Sequence, residues 1–138
     1  MIDLIIGPKG SGKTKKIIDR STDTIGLAKG NIIFLTATDR YAYEVKYSIR
    51  LINVKEYGIC SDTGFISFLK GIIAGDNDIE YIFIDGIAKM VNSDLACMGE
   101  IFSDIKKLGE NNGINFIITV SCEESALPDY FKNLMKSE

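Results

Sequence analysis

Histidine is missing from this sequence altogether, and that absence removes several chemistries at once. Ser-His-Asp and Cys-His nucleophile systems need an imidazole to take up a proton, and histidine metal sites need its ring nitrogen. Any chemistry must rest on carboxylates, lysines, hydroxyls, backbone amides or a bound ion. Cysteine is scarce: Cys60, Cys97 and Cys122 are odd in number and far apart. That argues against a disulfide framework and a four-thiolate zinc site, and it leaves an expectation of buried free thiols in a reducing cytoplasm. No apolar run approaches the roughly 20 residues that a membrane-spanning helix requires. Met1 leads almost directly into the strand-like Ile2-Asp3-Leu4-Ile5-Ile6 rather than into a secretion signal, so the expected location is the cytoplasm. Nor is there an excess of positive charge. The formal net charge is -3, whereas binding driven by nucleic-acid phosphates usually leaves a basic footprint.

What is present suits one α/β domain over residues 1–138. A hydrophobic fraction of 46% with 25% charged residues is enough to fill a core and still solvate a surface. Short β-branched runs alternate with longer helical patterns, the mark of a parallel sheet covered by helices. Five strands are expected at Ile2–Ile6, Asn31–Thr36, Arg50–Val54, Glu80–Asp85 and Ile114–Val120. Most are continuous apolar runs, as strands buried on both faces require. Four helices are expected. The first starts near Gly12 and ends between Thr22 and Lys29. A second spans about Asp62 to Ala74, with Gly75 as its stop. A third is capped by Ser93 and carries Leu95, Met98, Phe102 and Ile105 as its apolar stripe. A short fourth follows Pro128. Residues 37–48 fit loop and helix equally. The expected fold class is thus a three-layer α/β sandwich with a mainly parallel five-stranded sheet between helices.

The densest chemical signal lies between the first strand and the first helix. Gly7-Pro8-Lys9-Gly10-Ser11-Gly12-Lys13-Thr14 fits G-x-x-x-x-G-K-[ST] at every fixed position, in the strand-to-helix context that the pattern demands. Glycines at 7, 10 and 12 let successive N–H groups point inward at one anion. The helix start adds free N–H groups and its positive dipole end. The expected nucleotide-binding set is therefore Gly7, Lys9, Gly10, Ser11, Gly12, Lys13, Thr14 and Lys15. Lys13 is placed to reach the β- and γ-phosphates, and so is also the expected catalytic cation; Thr14 offers its hydroxyl to magnesium. Further along, Tyr81-Ile82-Phe83-Ile84-Asp85 is an apolar strand ending in a carboxylate, and Asp85 is the expected partner of Thr14 at the metal.

Residues 7–14 and 81–85 resemble the Walker A and Walker B motifs of P-loop NTPases, in a chain whose whole strand and helix pattern is similar to theirs. The last strand, with Thr119 and Ser121 at its end, is similar to the sensor strand of the RecA-like and AAA-type branch. The resemblance implies that this strand lies between the two motif strands, and that Thr119 or Ser121 senses the γ-phosphate. The chain also resembles a group of short bacterial P-loop proteins, some of them labelled after twitching-motility ATPases. The motility enzymes themselves carry histidine-containing motifs, and this chain has none.

The resemblance implies ATP and Mg²⁺ as ligands, the guanine-selecting N-K-x-D of GTPases being absent. It stops short of assigning turnover. Many ATPases of that branch place a glutamate directly after the Walker B aspartate to orient the attacking water, and here the position is Gly86. Asp39, Glu123 and Glu124 are the candidate substitutes, and Arg20, Arg40 and Arg50 the candidate arginine fingers. Three functions stay open: an ATPase that is weak or stimulated by a protein partner or second subunit, a small nucleoside-kinase-like phosphotransferase, and an ATP-dependent switch without hydrolysis. Asp76-Asn77-Asp78 is too short for a calcium loop and lacks its glycine and terminal glutamate.

Overall fold

All five apolar runs become strands. A computed structural model describes residues 1–135, with β1 at Ile2–Gly7, β2 at Asn31–Thr36, β3 at Arg50–Asn53, β4 at Ile79–Ile84 and β5 at Asn115–Ser121. They form one sheet in the order β1-β5-β4-β2-β3, and every neighbouring pair is parallel. The sheet is therefore wholly rather than mainly parallel. Parallel neighbours need crossover connections; α1 (Lys13–Ile25), α2 (Asp62–Gly75) and α4 (Gly99–Asn112) supply three of them, and residues 37–49 carry the chain from β2 to β3 without a helix. A short α3 (Ile87–Val91) precedes α4, and α5 (Tyr130–Met135) follows β5.

The route of the chain decides which face each helix covers. From β1 the chain moves toward β3, and α1 packs on one face against β1, β5 and β2. From β3 it returns toward β1, and α2, α3, α4 and α5 gather on the other face. Crossovers of a single hand require that change of face when the direction reverses. Strand alternation sorts the side chains accordingly. Ile33 and Leu35 enter the larger core with Phe65, Leu69, Phe102 and Ile105, whereas Ile32 and Phe34 join Ile17, Ile18 and Phe83 beneath α1. Residues 37–49 form turns, without helix or strand. Val45 and Ile49 from this segment are buried in the smaller core and complete the cover over Phe34.

Three expectations need correction. Ser93 does not cap the third expected helix. Its N–H donates to the Ala88 carbonyl at 3.3 Å, closing the end of α3 behind Asn92, which adopts the left-handed conformation at φ 52°. The chain then makes a single 3-10 turn at Leu95–Cys97 before α4 begins at Gly99. Met98, Phe102 and Ile105 are buried as the stripe requires, but Leu95 stands outside the helix and only half-buried. The cysteines are free, as expected, yet they are not core residues. Cys60 and Cys97 are exposed and Cys122 is half-buried. Lastly, β3 ends at Asn53, because Asn53 accepts the Lys55 N–H and turns Val54–Tyr57 into a 3-10 helix.

Candidate functional site

Parallel strands bring all their carboxyl ends to one edge, where Gly7, Thr36, Asp85 and Ser121 meet. In open parallel sheets this edge is where ligands bind. Register sets the neighbours there: Gly7 lies level with Ser121, and Ile84 level with Ile118. The next residue on each strand then pairs across the gap. Thr119 Oγ1 donates to Asp85 Oδ1 at 2.8 Å and accepts the Gly86 N–H at 3.1 Å. The second carboxylate oxygen, Oδ2, accepts from Thr14 Oγ1 at 3.1 Å. A residue from the first helix and one from the middle of the chain, 71 positions apart, thus meet.

The loop between β1 and α1 is shaped by glycine. Gly10 and Gly12 sit at φ 78° and 86°, a region that a Cβ makes costly. Gly12 is the N-cap of α1 and offers no side chain to cap it. By contrast, α2 is closed by Ser61, whose Oγ accepts the Gly64 N–H at 3.1 Å. Among the described residues, Ser11 is the loop residue whose N–H is satisfied, by the Pro8 carbonyl at 3.2 Å. Among the described residues, no protein acceptor takes the N–H of Lys9, Gly10, Gly12, Lys13, Thr14 or Lys15. Unpaired amides at a helix start carry partial positive charge and call for an anion or water.

Lys13 adds a full charge. The residue is 8% exposed, and Nζ reaches back across the loop to donate to the Pro8 carbonyl at 2.9 Å. Burial holds its pKa below the ordinary lysine value; the Asp85 carboxylate opposes the shift, while Lys89 and Lys16 add to it. The cleft in front of Lys13 has a volume of about 280 Å³. Its charged lining is Lys9, Lys13, Arg40 and Lys89 against the carboxylate of Asp85, a strongly cationic balance in a chain of net charge -3. Thr36, Thr38 and Tyr41 supply the opposite wall.

Magnesium is implied by the sequence resemblance, and the donors can be tested against it. Carboxylate and hydroxyl are the hard oxygen ligands it prefers, and magnesium commonly takes the rest of its shell from phosphates and water. Among the described residues no group of three or more His, Cys, Asp or Glu gathers anywhere. The protein's own share would therefore be Asp85 and Thr14, and that pair fits.

Other candidates separate clearly. Asp39 accepts from Asn53 Nδ2 at 3.1 Å, Glu123 and Glu124 are exposed beside a turn after β5, and none of the three lines the cleft. Arg20 pairs with Asp3 at 2.7 Å, away from the cleft, and Arg50 lies at the start of the edge strand β3. Arg40 is the arginine that reaches it. Lys15 and Ser11 are not among the residues that line the cleft. Asp76 accepts from Asn31 Nδ2 and from the Asp78 N–H, a turn rather than an ion site. Sequence reasoning missed Lys89 at the cleft, which lies on a helix too short to show a period, and the hydrogen bonds that join Thr119 to Asp85 and Gly86. A threonine inside the buried run Phe116-Ile117-Ile118-Thr119-Val120 was its available signal, since a buried hydroxyl needs a partner. No helix among the described residues is long and apolar enough to cross a membrane. A scan against protein-family models finds no family that matches the chain, and a search of curated proteins finds no matching relative.

Proposed function

We propose that this protein is a P-loop nucleotide-binding protein of the RecA-like type that takes ATP with magnesium. The observation that carries the reading is the convergence of unpaired loop amides, the ammonium of Lys13 and the Thr14–Asp85 pair on one cationic cleft. The position of β5 between the strands bearing the loop and Asp85 supports the same branch. In this reading the amides and Lys13 hold the β- and γ-phosphates. Asp85, oriented by Thr119, and Thr14 hold the magnesium shell. The bound ion neutralises charge on the terminal phosphates.

Turnover by the isolated chain is slow in this proposal. Orienting a water needs a base within hydrogen-bond reach. Gly86 occupies the usual glutamate position, and Asp39, Glu123 and Glu124 stay outside the cleft. Lys9, Arg40 and Lys89 can stabilise charge on a terminal phosphate, but they cannot activate a nucleophile while protonated. Faster hydrolysis therefore awaits a carboxylate from a partner or second subunit.

Calorimetric titration with Mg-ATP, Mg-ADP and Mg-GTP tests the reading. Saturable binding of ATP is expected, with thermal stabilisation of roughly 2.7 kcal/mol at about 100 times the dissociation constant. Absence of saturable binding by well-folded protein would falsify the proposal. A turnover rate that rises with protein concentration would support completion of the site by a second copy.

A further inference from the structure

Beside the phosphate cleft lies a second and larger cavity of about 420 Å³, between α3, the segment at residues 92–95 and the end of β5. The two share Lys9, Gly86, Lys89, Thr119 and Ser121 as a common wall. A molecule in the larger cavity would therefore abut the outer end of whatever the loop holds. Its volume falls within the range of small-molecule sites, about 300–1,000 Å³.

Beside this cavity the chain departs from its own helical pattern. The stripe of Leu95, Met98, Phe102 and Ile105 would suit one helix running from Ser93. Instead α3 stops after five residues at Asn92, and Leu95–Cys97 makes a separate turn. Asn92 is the non-glycine residue with positive φ among those described. Breaks of a local rule tend to mark sites of function. The break leaves Asn92, Ser93 and Asp94 on the cavity rim, opposite an apolar wall that includes Ile87 and Leu95. Among the described residues, none of the three rim side chains makes a hydrogen bond or ion pair with the protein.

We infer that this cavity is a second ligand site, and that it takes a neutral ring compound bearing hydroxyl groups, of the nucleoside class. The inference rests on the nucleotide reading of the adjoining cleft. Charge narrows the ligand. Lys9 and Lys89 at the shared wall disfavour a cation, and an anion would compete with the terminal phosphate for the same two ammonium groups. The rim then sets the polar pattern. Asp94 accepts from O–H or N–H, Asn92 and Ser93 both donate and accept, and the apolar wall suits the face of a base.

The test is calorimetry and thermal melting of the full chain with magnesium and a non-hydrolysable ATP analogue. Adenosine, guanosine, cytidine and thymidine are the probes, with glucose and ribose for comparison. At least one nucleoside should bind saturably. Ser93→Trp should abolish that binding by filling the cavity. Asp94→Ala, an exposed change that keeps the fold, should weaken it about tenfold. Both variants should bind the analogue within about threefold of the parent protein, since neither residue lines the phosphate cleft. The inference is overturned if the analogue binds but no nucleoside does, if only the sugars bind, or if nucleoside binding is undiminished in both variants. Failure of the analogue itself to bind would instead remove the nucleotide reading, and this inference with it.

Discussion

Replacing Lys13 by methionine separates what the ammonium does for a ligand from what it does for the fold. The side chain keeps its length and loses its charge. In the protein as it stands, Nζ donates to the Pro8 carbonyl at 2.9 Å, but that carbonyl also accepts the Ser11 N–H at 3.2 Å and keeps a partner after the exchange. The lost bond is offset by relief of a buried charge, because burial is the leading cause of the lowered Lys13 pKa. A lysine whose folded pKa lies below its unfolded value is charged at a cost at neutral pH. As pH rises through the folded value the native ammonium gives up its proton first, so the unfolded state holds more protons and relative stability increases.

Two results follow from that balance. The unliganded variant should match the parent protein to within about 1 kcal/mol at pH 7, since a net hydrogen bond contributes only about 0.5–1.5 kcal/mol. Any advantage of the variant should shrink in alkaline solution as the parent's lysine approaches its unfolded pKa. ATP affinity, by contrast, should fall about tenfold to a hundredfold, corresponding to a charge-assisted contact of about 1.5–3 kcal/mol. Urea unfolding measures the first quantity and calorimetric titration with Mg-ATP the second. Unchanged affinity would refute the role of Lys13. So would a loss of affinity matched by an equal loss of unliganded stability, because the residue would then be acting through the fold.

Asp85→Asn keeps the shape but removes the charge and turns one of the two accepting oxygens into an N–H donor, so affinity for Mg-ATP should drop to the level seen for ATP in a chelator. Titrations with and without magnesium give that comparison. Thr119→Val leaves the Gly86 N–H and one Asp85 oxygen without their partner at a position 4% exposed. It should cost about 1–3 kcal/mol in urea unfolding and blunt the magnesium dependence without abolishing nucleotide binding. Phe102→Ala empties the centre of the larger core, where Phe102 lies against Phe131 with ring centroids 4.9 Å apart. A loss of about 3–5 kcal/mol in urea unfolding is expected. Tyr130→Phe removes the bond from the hydroxyl to the Leu95 carbonyl, at 2.6 Å, and should cost about 1 kcal/mol near neutral pH. Burial raises the Tyr130 pKa above its usual 10.0. The stability tied to its proton is therefore present below about pH 10 and declines above it, as the unfolded tyrosine ionises first. Melts at pH 7 and above pH 10 should show the gap between parent and Tyr130→Phe narrowing.

Strands were legible because burial on both faces leaves a mark that no neighbour can erase. Ile82, Phe83 and Ile84 must all be apolar when helices cover both sides of β4. The direction of pairing was nearly legible too, since helices long enough to cross the sheet separate most of the strands. What could not be read was any feature decided by competition between two local rules. Ser93 followed by an apolar stripe is a sound N-cap signal, but Asn92 is an equally sound left-handed C-cap, and the structure uses the latter. Residues 37–49 show the same conflict. Tyr41, Val45 and Ile49 recur every four residues and all pack in the smaller core, yet the intervening segment is a series of turns. Its apolar spacing records what must be covered and not the backbone that covers it.

The candidate site divides along the same line. Residues 7–14 form a local device: glycine conformations, a helix start and a lysine one residue into it are consequences of adjacent positions, so sequence alone conveys them. Asp85, Thr119 and Lys89 belong together only through register. Sliding β5 by one residue against β4 would turn Thr119 to the opposite face and bring Ile118 or Val120 to the carboxylate. The apolar residues on either side of Thr119 fix that register, because both are buried in the larger core. Packing of Ile118 and Val120 thus aims Thr119 at Asp85, while Ile117 on the opposite face is held beneath α1. A cavity made at Ile118 should consequently loosen the carboxylate as well as the core. Ile118→Ala is therefore expected to weaken the magnesium dependence of ATP binding beyond what a core substitution on another element would do. Leu69→Ala, on α2, is the matching control: equal magnesium dependence in the two variants would show that register and carboxylate are not coupled.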